Sequence, residues 1–159
     1  MIKYLIMDVD GTLTDGKIYI SNTGELMKAF NIKDGCGIHD IAIPAQIIPV
    51  IITGRVSDIV INRCKEIGIK RIYQGVSNKV EKLTREFEDL SIVAYIGDDI
   101  NDLSCMEAIK KAGGLVGAPK DAVEQVRSIA HFVSNHVGGD GAVRDFIEWI
   151  IRNSFNHVR

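Results

Sequence analysis

Tyr4-Leu5-Ile6-Met7-Asp8-Val9-Asp10-Gly11-Thr12 begins as a short, unbroken apolar run and ends in two carboxylates and a glycine. A run of this kind, closed by a turn signal, reads as a strand buried on both faces. Counting this first strand as Tyr4–Val9, similar runs rich in Ile and Val follow at Ile47–Ile52, Arg71–Tyr73, Ile92–Ile96, Leu115–Val116 and Ala130–Val133. Segments with helical spacing lie between them, at Cys36–Ile43, Val56–Ile67, Asn78–Leu90, Ile100–Lys110, Ala122–Ser128 and Ala142–Ile151. Strands that alternate with helices across short connections predict a parallel sheet with helices on both faces, a three-layer, Rossmann-like doubly wound α/β fold. Residues 17–32 break the rhythm: apolar and polar positions alternate around Asn22-Thr23-Gly24, which predicts an inserted β-hairpin. With 159 residues and neither linker nor internal repeat, residues 1–159 are expected to form one domain.

Ligands of an open parallel sheet bind beyond the carboxyl ends of the strands, so those ends carry the functional information. The first strand places Asp8 and Asp10 two residues apart, on the same side of an extended chain. The second ends Ile52-Thr53-Gly54-Arg55, and the fourth ends Ile96-Gly97-Asp98-Asp99-Ile100-Asn101-Asp102. If the two central strands are neighbours, up to five carboxylates converge on one sheet edge, which is costly without a cation. Oxygen donors with no His or Cys nearby in sequence suit Mg²⁺ better than zinc or copper. Lys79 opens the helix after the third strand, behind Gly75-Val-Ser-Asn78, where it can neutralise a carboxylate or a phosphate. Thr53 and the N–H groups that follow it form a candidate anion cradle at a strand-to-helix turn.

Composition narrows the function class. A net charge of −2 with dispersed Lys and Arg leaves no basic surface of the kind that nucleic acids require. The apolar run at Tyr4–Met7 is too short for a signal peptide or a membrane span, so a cytoplasmic protein with no membrane partner is expected. Cys36, Cys64 and Cys105 are widely spaced and odd in number, and read as small buried apolar residues. His39, His131, His136 and His157 have no partner spacing and receive no role.

Taken singly, each strand end has a plain structural reading: Asp8 and Asp10 as turn residues before Gly11, Thr53-Gly54 as a strand-ending turn, Lys79 as a solvated helix residue. Together and in order, the four segments resemble the haloacid dehalogenase superfamily of phosphatases. The resemblance implies that Asp8 is a nucleophile that becomes phosphorylated and that Asp10 is the general acid and base. It implies that Thr53 and Lys79 bind phosphoryl oxygens, and that Mg²⁺ is held by Asp98, the Asp8 carboxylate and the Asp10 main-chain carbonyl, with Asp99 and Asp102 in support. The spacings from Asp10 to Thr53 and from Thr53 to Lys79 leave no room for a cap domain.

Local detail resembles one capless branch, the 3-deoxy-manno-octulosonate 8-phosphate phosphatase family. The segments are Asp8-x-Asp-Gly-x-Leu-Thr-Asp-Gly16, Gly24-Glu-x-x-Lys28-x-Phe30, Lys33-Asp-Gly-x-Gly37, Thr53-Gly-Arg55 and Gly138-Gly-x-Gly-Ala-Val-Arg144. Thr12 stands where that branch more typically has Val. The resemblance implies a homotetramer with hairpins at its centre, an active site completed by an adjacent subunit, and a sugar-acid phosphate as substrate, bound by Thr53, Gly54, Arg55, Arg63 and Lys79. A related branch acts on nonulosonate 9-phosphates and carries Glu and Lys where this chain has Arg55 and Glu66, so the octulosonate is expected. The Gly138–Gly141 stretch reads either as a flexible approach to the last helix or, by the resemblance, as a tail loop that reaches substrate. A receiver domain would carry its phosphoacceptor at the third strand end, and the nearest equivalent strand ends here offer Thr53 or Gln74. A non-catalytic oligomerisation module would have no need of the complete motif set.

Overall fold

The computed structural model describes residues 1–156, so His157 lies outside the described residues. Strands β1 (Tyr4–Met7), β4 (Ile48–Ile52), β5 (Arg71–Tyr73), β6 (Val93–Ile96), β7 (Leu115–Ala118) and β8 (Phe132–Val133) form one sheet in the order β5-β4-β1-β6-β7-β8, with every pairing parallel. The chain builds outward from β1 to β5 and then crosses back to lay β6 on the other side of β1. That reversal places a crevice at the carboxyl end of β1.

Successive residues of the central strands feed opposite layers. Leu5, Met7, Ile51, Ala94 and Ile96 pack against one set of helices, α1 (Ile32–Cys36), α2 (Asp58–Glu66) and α6 (Ala142–Asn156). Ile6, Val50, Ile52, Val93 and Tyr95 face the other set, α3 (Lys79–Glu86), α4 (Ile100–Ala112) and α5 (Glu124–Ile129). The expected three layers are therefore present.

Element boundaries differ from the sequence reading in ways that local hydrogen bonds explain. The hairpin consists of β2 (Tyr19–Ser21) and β3 (Gly24–Met27) and stops short of Ile32, because the Asn31 side chain accepts a bond from the Lys33 N–H at 2.8 Å and starts α1 there. The helix expected from Cys36 thus begins four residues earlier and continues as a π-helical turn over Gly37–Ala42. Helix α3 stops at Glu86 because Phe87 turns extended to bury its ring edge-on against Tyr4, with centroids 5.0 Å apart. Cys64 and Cys105 are buried as expected, but Cys36 is exposed and donates to the Asp40 carboxylate at 3.1 Å.

The glycine-rich stretch is packed and not merely flexible. A β-carbon on Gly138 would lie 1.9 Å from the Gly11 carbonyl oxygen, and the Gly139 N–H donates to the Thr12 carbonyl at 3.0 Å. The loop after β1 is thereby buttressed from outside. Helix α6 is pinned at its N-terminus by Asp34, only 1% exposed, whose carboxylate accepts from the N–H groups of Gly141 at 3.2 Å and Arg144 at 2.9 Å. Removing it in Asp34→Ala should cost about 2–3 kcal/mol and lower the melting temperature by roughly 5–10 °C. Asp34→Asn, which keeps one acceptor oxygen, should lose less; equal stability of Asp34→Ala and the parent in thermal melts would contradict this role.

Candidate active site

The backbone after β1 is fixed before any side chain acts. The Val9 carbonyl accepts from Thr12, Leu13 and Thr14 at 3.2, 2.9 and 3.0 Å, which coils residues 9–14 into a tight turn. Gly11 lies in the left-handed region at φ 92°, and a β-carbon there would sit 2.0 Å from the Asp98 Oδ2. A glycine is required at this point for the β1 and β6 ends to approach. The resulting cleft is lined by Asp8, Asp10, Gly16, Thr53, Gly54, Arg55, Asp98, Asp99 and Asn101.

Lys79 lies behind Asp8. Its side chain, 3% exposed, crosses from the first residue of α3 to place Nζ 3.0 Å from Asp8 Oδ1 and 2.7 Å from Asp102 Oδ1. Asp102 Oδ1 also accepts from the Tyr95 hydroxyl at 2.7 Å, while Oδ2 accepts from the N–H groups of Asp98 and Asp99 at 3.0 and 3.3 Å. Both Asp102 oxygens are committed to protein donors, so Asp102 acts on Lys79 and on the β6–α4 turn. Asp99 caps α4, accepting from the Ile100 N–H at 2.7 Å. Asp98 receives a bond from the buried Thr12 hydroxyl at 3.0 Å.

The electrostatics follow from this crowding. Burial, then the Asp102 charge, raise the Asp8 carboxyl to about 6 despite the opposing pull of Lys79. Burial and the charges of Asp8 and Asp102 raise Asp98 to about 7, which the Thr12 bond only partly offsets. Burial works against the charged form of Lys79, but the Asp102 and Asp8 carboxylates outweigh it and hold the ammonium above its usual range. Carboxylate oxygens of Asp8, Asp98 and Asp102 lie within 4.8 Å of one another. With Asp102 committed elsewhere, Asp8 and Asp98 have the hard oxygen donors and the surplus negative charge that a small divalent cation would satisfy.

The hairpin brings groups to the cleft that sequence reasoning passed over. The Lys28 ammonium bonds directly to the Asp10 carboxylate and lies 3.0 Å from Glu25 Oε1. Glu25 in turn accepts from the Ser57 hydroxyl. Arg55 stands 3.9 Å from Asp10 and 3.7 Å from Glu25. The usable signal was Glu25 and Lys28 themselves, two opposite charges three residues apart on the second arm of the hairpin. Thr53 and Gly54 are at the cleft as expected, but α2 starts only at Asp58, so they stand on a loop and not in a helical turn. Arg63 is not brought to the cleft of its own chain: its guanidinium pairs with Glu66 at 2.9 Å and lies 6.0 Å over the Phe30 ring. An aspartate beside a buried lysine and a cation site, with a second aspartate two residues on at the solvent side, can take up and release a phosphoryl group while a proton is shuttled next to it.

No family model matches the chain. It is 43% identical over 154 residues to 3-deoxy-D-manno-octulosonate 8-phosphate phosphatase of Escherichia coli K12, covering 94% of this chain and 79% of that protein. It is 40% identical to the Yersinia pestis protein of the same name, covering 94% and 80%. Its fold matches the crystal structure of 3-deoxy-D-manno-octulosonate 8-phosphate phosphatase from Moraxella catarrhalis in complex with magnesium ion, phosphate ion and KDO. The TM-score is 0.87 and the identity 37%, over 99% of this chain and 91% of that one. A putative haloacid dehalogenase superfamily hydrolase from Legionella pneumophila matches with TM-score 0.81 and 36% identity, over 95% of this chain and 82% of that one.

A cation held by Asp8 and Asp98 must displace protons from carboxyls raised to about 6 and about 7. The thermal stabilisation that a fixed Mg²⁺ concentration confers should therefore grow as pH rises from 5.5 to 8 and then level off. A stabilisation independent of pH over that range would contradict the assignment of these two carboxylates.

Proposed function

The chain belongs to the 3-deoxy-D-manno-octulosonate 8-phosphate phosphatase family of the haloacid dehalogenase superfamily, and we propose that it hydrolyses 3-deoxy-D-manno-octulosonate 8-phosphate with Mg²⁺ as cofactor. The observation that carries this reading is the buried Lys79 ammonium seated between Asp8 and Asp102 at the sheet's reversal point.

In this reading an Asp8 oxygen attacks phosphorus and the bond from phosphorus to the ester oxygen breaks. Asp10 gives its proton to the departing oxygen. Asp10, now ionised, takes a proton from water; the water oxygen bonds to phosphorus, the Asp8–phosphoryl bond breaks, and inorganic phosphate leaves with Asp10 protonated again. Mg²⁺, held by Asp8, Asp98 and the Asp10 main-chain carbonyl, supplies charge neutralisation of the phosphoryl oxygens. Lys79 and Thr53 hold those oxygens from the protein side, and Asp102 keeps Lys79 in place through its 2.7 Å pair. Asp99 supports by capping α4 and so fixing the turn that carries Asp98. Gly54 and Arg55 line the organic side of the cleft.

The same reading makes the protein a cytoplasmic homotetramer. Among the described residues no helix is long and apolar enough to cross a membrane. Ile18, Ile20 and Leu26 on the hairpin are 55%, 70% and 65% exposed, an apolar surface that subunit contacts would cover. Arg63 would act on substrate only across such a contact.

Purified protein should release phosphate from the octulosonate ester only with Mg²⁺, and Asp8→Asn should reduce kcat by about 1,000-fold or more. Undiminished turnover by Asp8→Asn would remove Asp8 as nucleophile, and a higher kcat/KM for a nonulosonate 9-phosphate would overturn the substrate.

A further inference from the structure

Asp98 meets the cleft with its backbone already fixed. Its N–H donates to Asp102 Oδ2 at 3.0 Å and its carbonyl accepts from the Val123 N–H at 2.9 Å, so the side-chain torsions are what remains to be set. Two adjacent residues of the turn after β1 act on them, one at each carboxylate oxygen. Gly11 clears the space that Oδ2 occupies, where a β-carbon would stand 2.0 Å away. Thr12 donates its hydroxyl proton to Oδ1 at 3.0 Å.

The surroundings of Thr12 commit it to that single bond. It is fully buried, its N–H donates to the Val9 carbonyl at 3.2 Å, and its carbonyl accepts from the Gly139 N–H at 3.0 Å. A β-branched side chain on a backbone held at both ends has little rotamer freedom. Among the described residues, Asp98 Oδ1 is the sole acceptor of this hydroxyl, and Thr12 is the sole donor to the Asp98 carboxylate. Asp98 lines the cleft, so Oδ2 is the oxygen left for a ligand there.

We propose that Thr12 is a positioning residue for cation binding: by occupying Oδ1 it makes Asp98 a one-oxygen ligand and so favours Mg²⁺ over Ca²⁺. The proposal rests on the reading of Asp8 and Asp98 as the carboxylates that hold the cation. Mg²⁺ demands near-ideal octahedral ligands at about 2.0–2.1 Å, and the two oxygens of one carboxylate lie too close together to fill two corners of that array. Ca²⁺ takes about six to eight oxygens at about 2.3–2.6 Å in a flexible arrangement and accepts both oxygens of a carboxylate. An untied Asp98 is free to turn and chelate the larger ion. Tied at Oδ1, it can do so only by breaking a charge-assisted hydrogen bond and leaving a buried hydroxyl unpaired.

The test titrates the thermal stabilisation conferred by MgCl₂ and by CaCl₂, without substrate and at pH 8.5, in wild type, Thr12→Val, Thr12→Ala and Thr12→Ser. Thr12→Val keeps the shape and removes the donor, so the Mg²⁺ midpoint should rise about ten-fold, the usual effect of losing a hydrogen bond to a metal ligand. Its Ca²⁺ midpoint should move by less than about two-fold, because the freed oxygen compensates. Thr12→Ala should lose the Mg²⁺ preference likewise, and Thr12→Ser, which restores the hydroxyl, should keep it. A merely structural role would lower the melting temperature of the metal-free variants and leave the ratio of the two midpoints intact. Unchanged Mg²⁺ binding in Thr12→Val, equal weakening of both ions, or a Thr12→Ser protein that behaves like Thr12→Val would overturn the role of Thr12. Wild type stabilised by neither ion would instead overturn the assignment of Asp8 and Asp98 on which the proposal depends.

Discussion

One buried ammonium organises this protein. Lys79 leaves the first turn of α3 and ends between Asp8, just after β1, and Asp102, in the first turn of the helix that follows the neighbouring β6. Three of the groups around it, Asp8, Asp98 and Asp102, are carboxylates crowded within 4.8 Å, and burial pushes the carboxyls of Asp8 and Asp98 towards the neutral form. Lys79 is the fixed positive charge that offsets part of this repulsion. Losing one partner of such a buried pair costs about 3–5 kcal/mol, because the remaining charges are left uncompensated. The rest of the negative charge is what a divalent cation would balance, so the proposed cation site and the proposed nucleophile site are consequences of the same crowding.

The surrounding fold provides the close approach that this requires. Parallel pairing of β1 with both β4 and β6 brings three strand ends side by side. Gly11 lets the Asp98 carboxylate pass where a side chain would collide, and Gly138 seats against the Gly11 carbonyl from outside. Tyr95, fully buried, completes the shell by donating to Asp102. The proposed catalytic aspartates therefore sit on a framework with little freedom to relax, which suits electrostatic preorganisation. Asp10 differs: its partner is Lys28 on the hairpin, an element outside the main sheet, so the proposed proton-transfer side of the cleft is held by a separate element.

Much of this was legible in the sequence, and the reason is geometric. Continuous apolar runs mark buried parallel strands, and in such sheets the residues after each run converge, so Asp8, Thr53 and Asp98 could be placed at one cleft before any coordinates. Lys79 was legible from its position after a capping asparagine. What stayed hidden depended on contacts that have no sequence period. Helix spacing gives Arg63 a place on α2 but not the Phe30 ring and Glu66 that hold it away from the cleft. Alternation continued past Met27 and concealed the Asn31 cap, which moved the helix start to Ile32. Glu25, Lys28 and Ser57 meet only because the hairpin folds back to the loop that follows β4, a tertiary event that their spacing does not encode.

The central claim is that phosphoryl transfer passes through Asp8 and not directly to water. Stereochemistry at phosphorus tests it most directly, by following hydrolysis of an ester made chiral with oxygen isotopes and sulfur. Two successive in-line displacements, first by Asp8 and then by water, predict net retention of configuration. Net inversion would mean a single attack by water and would contradict the account.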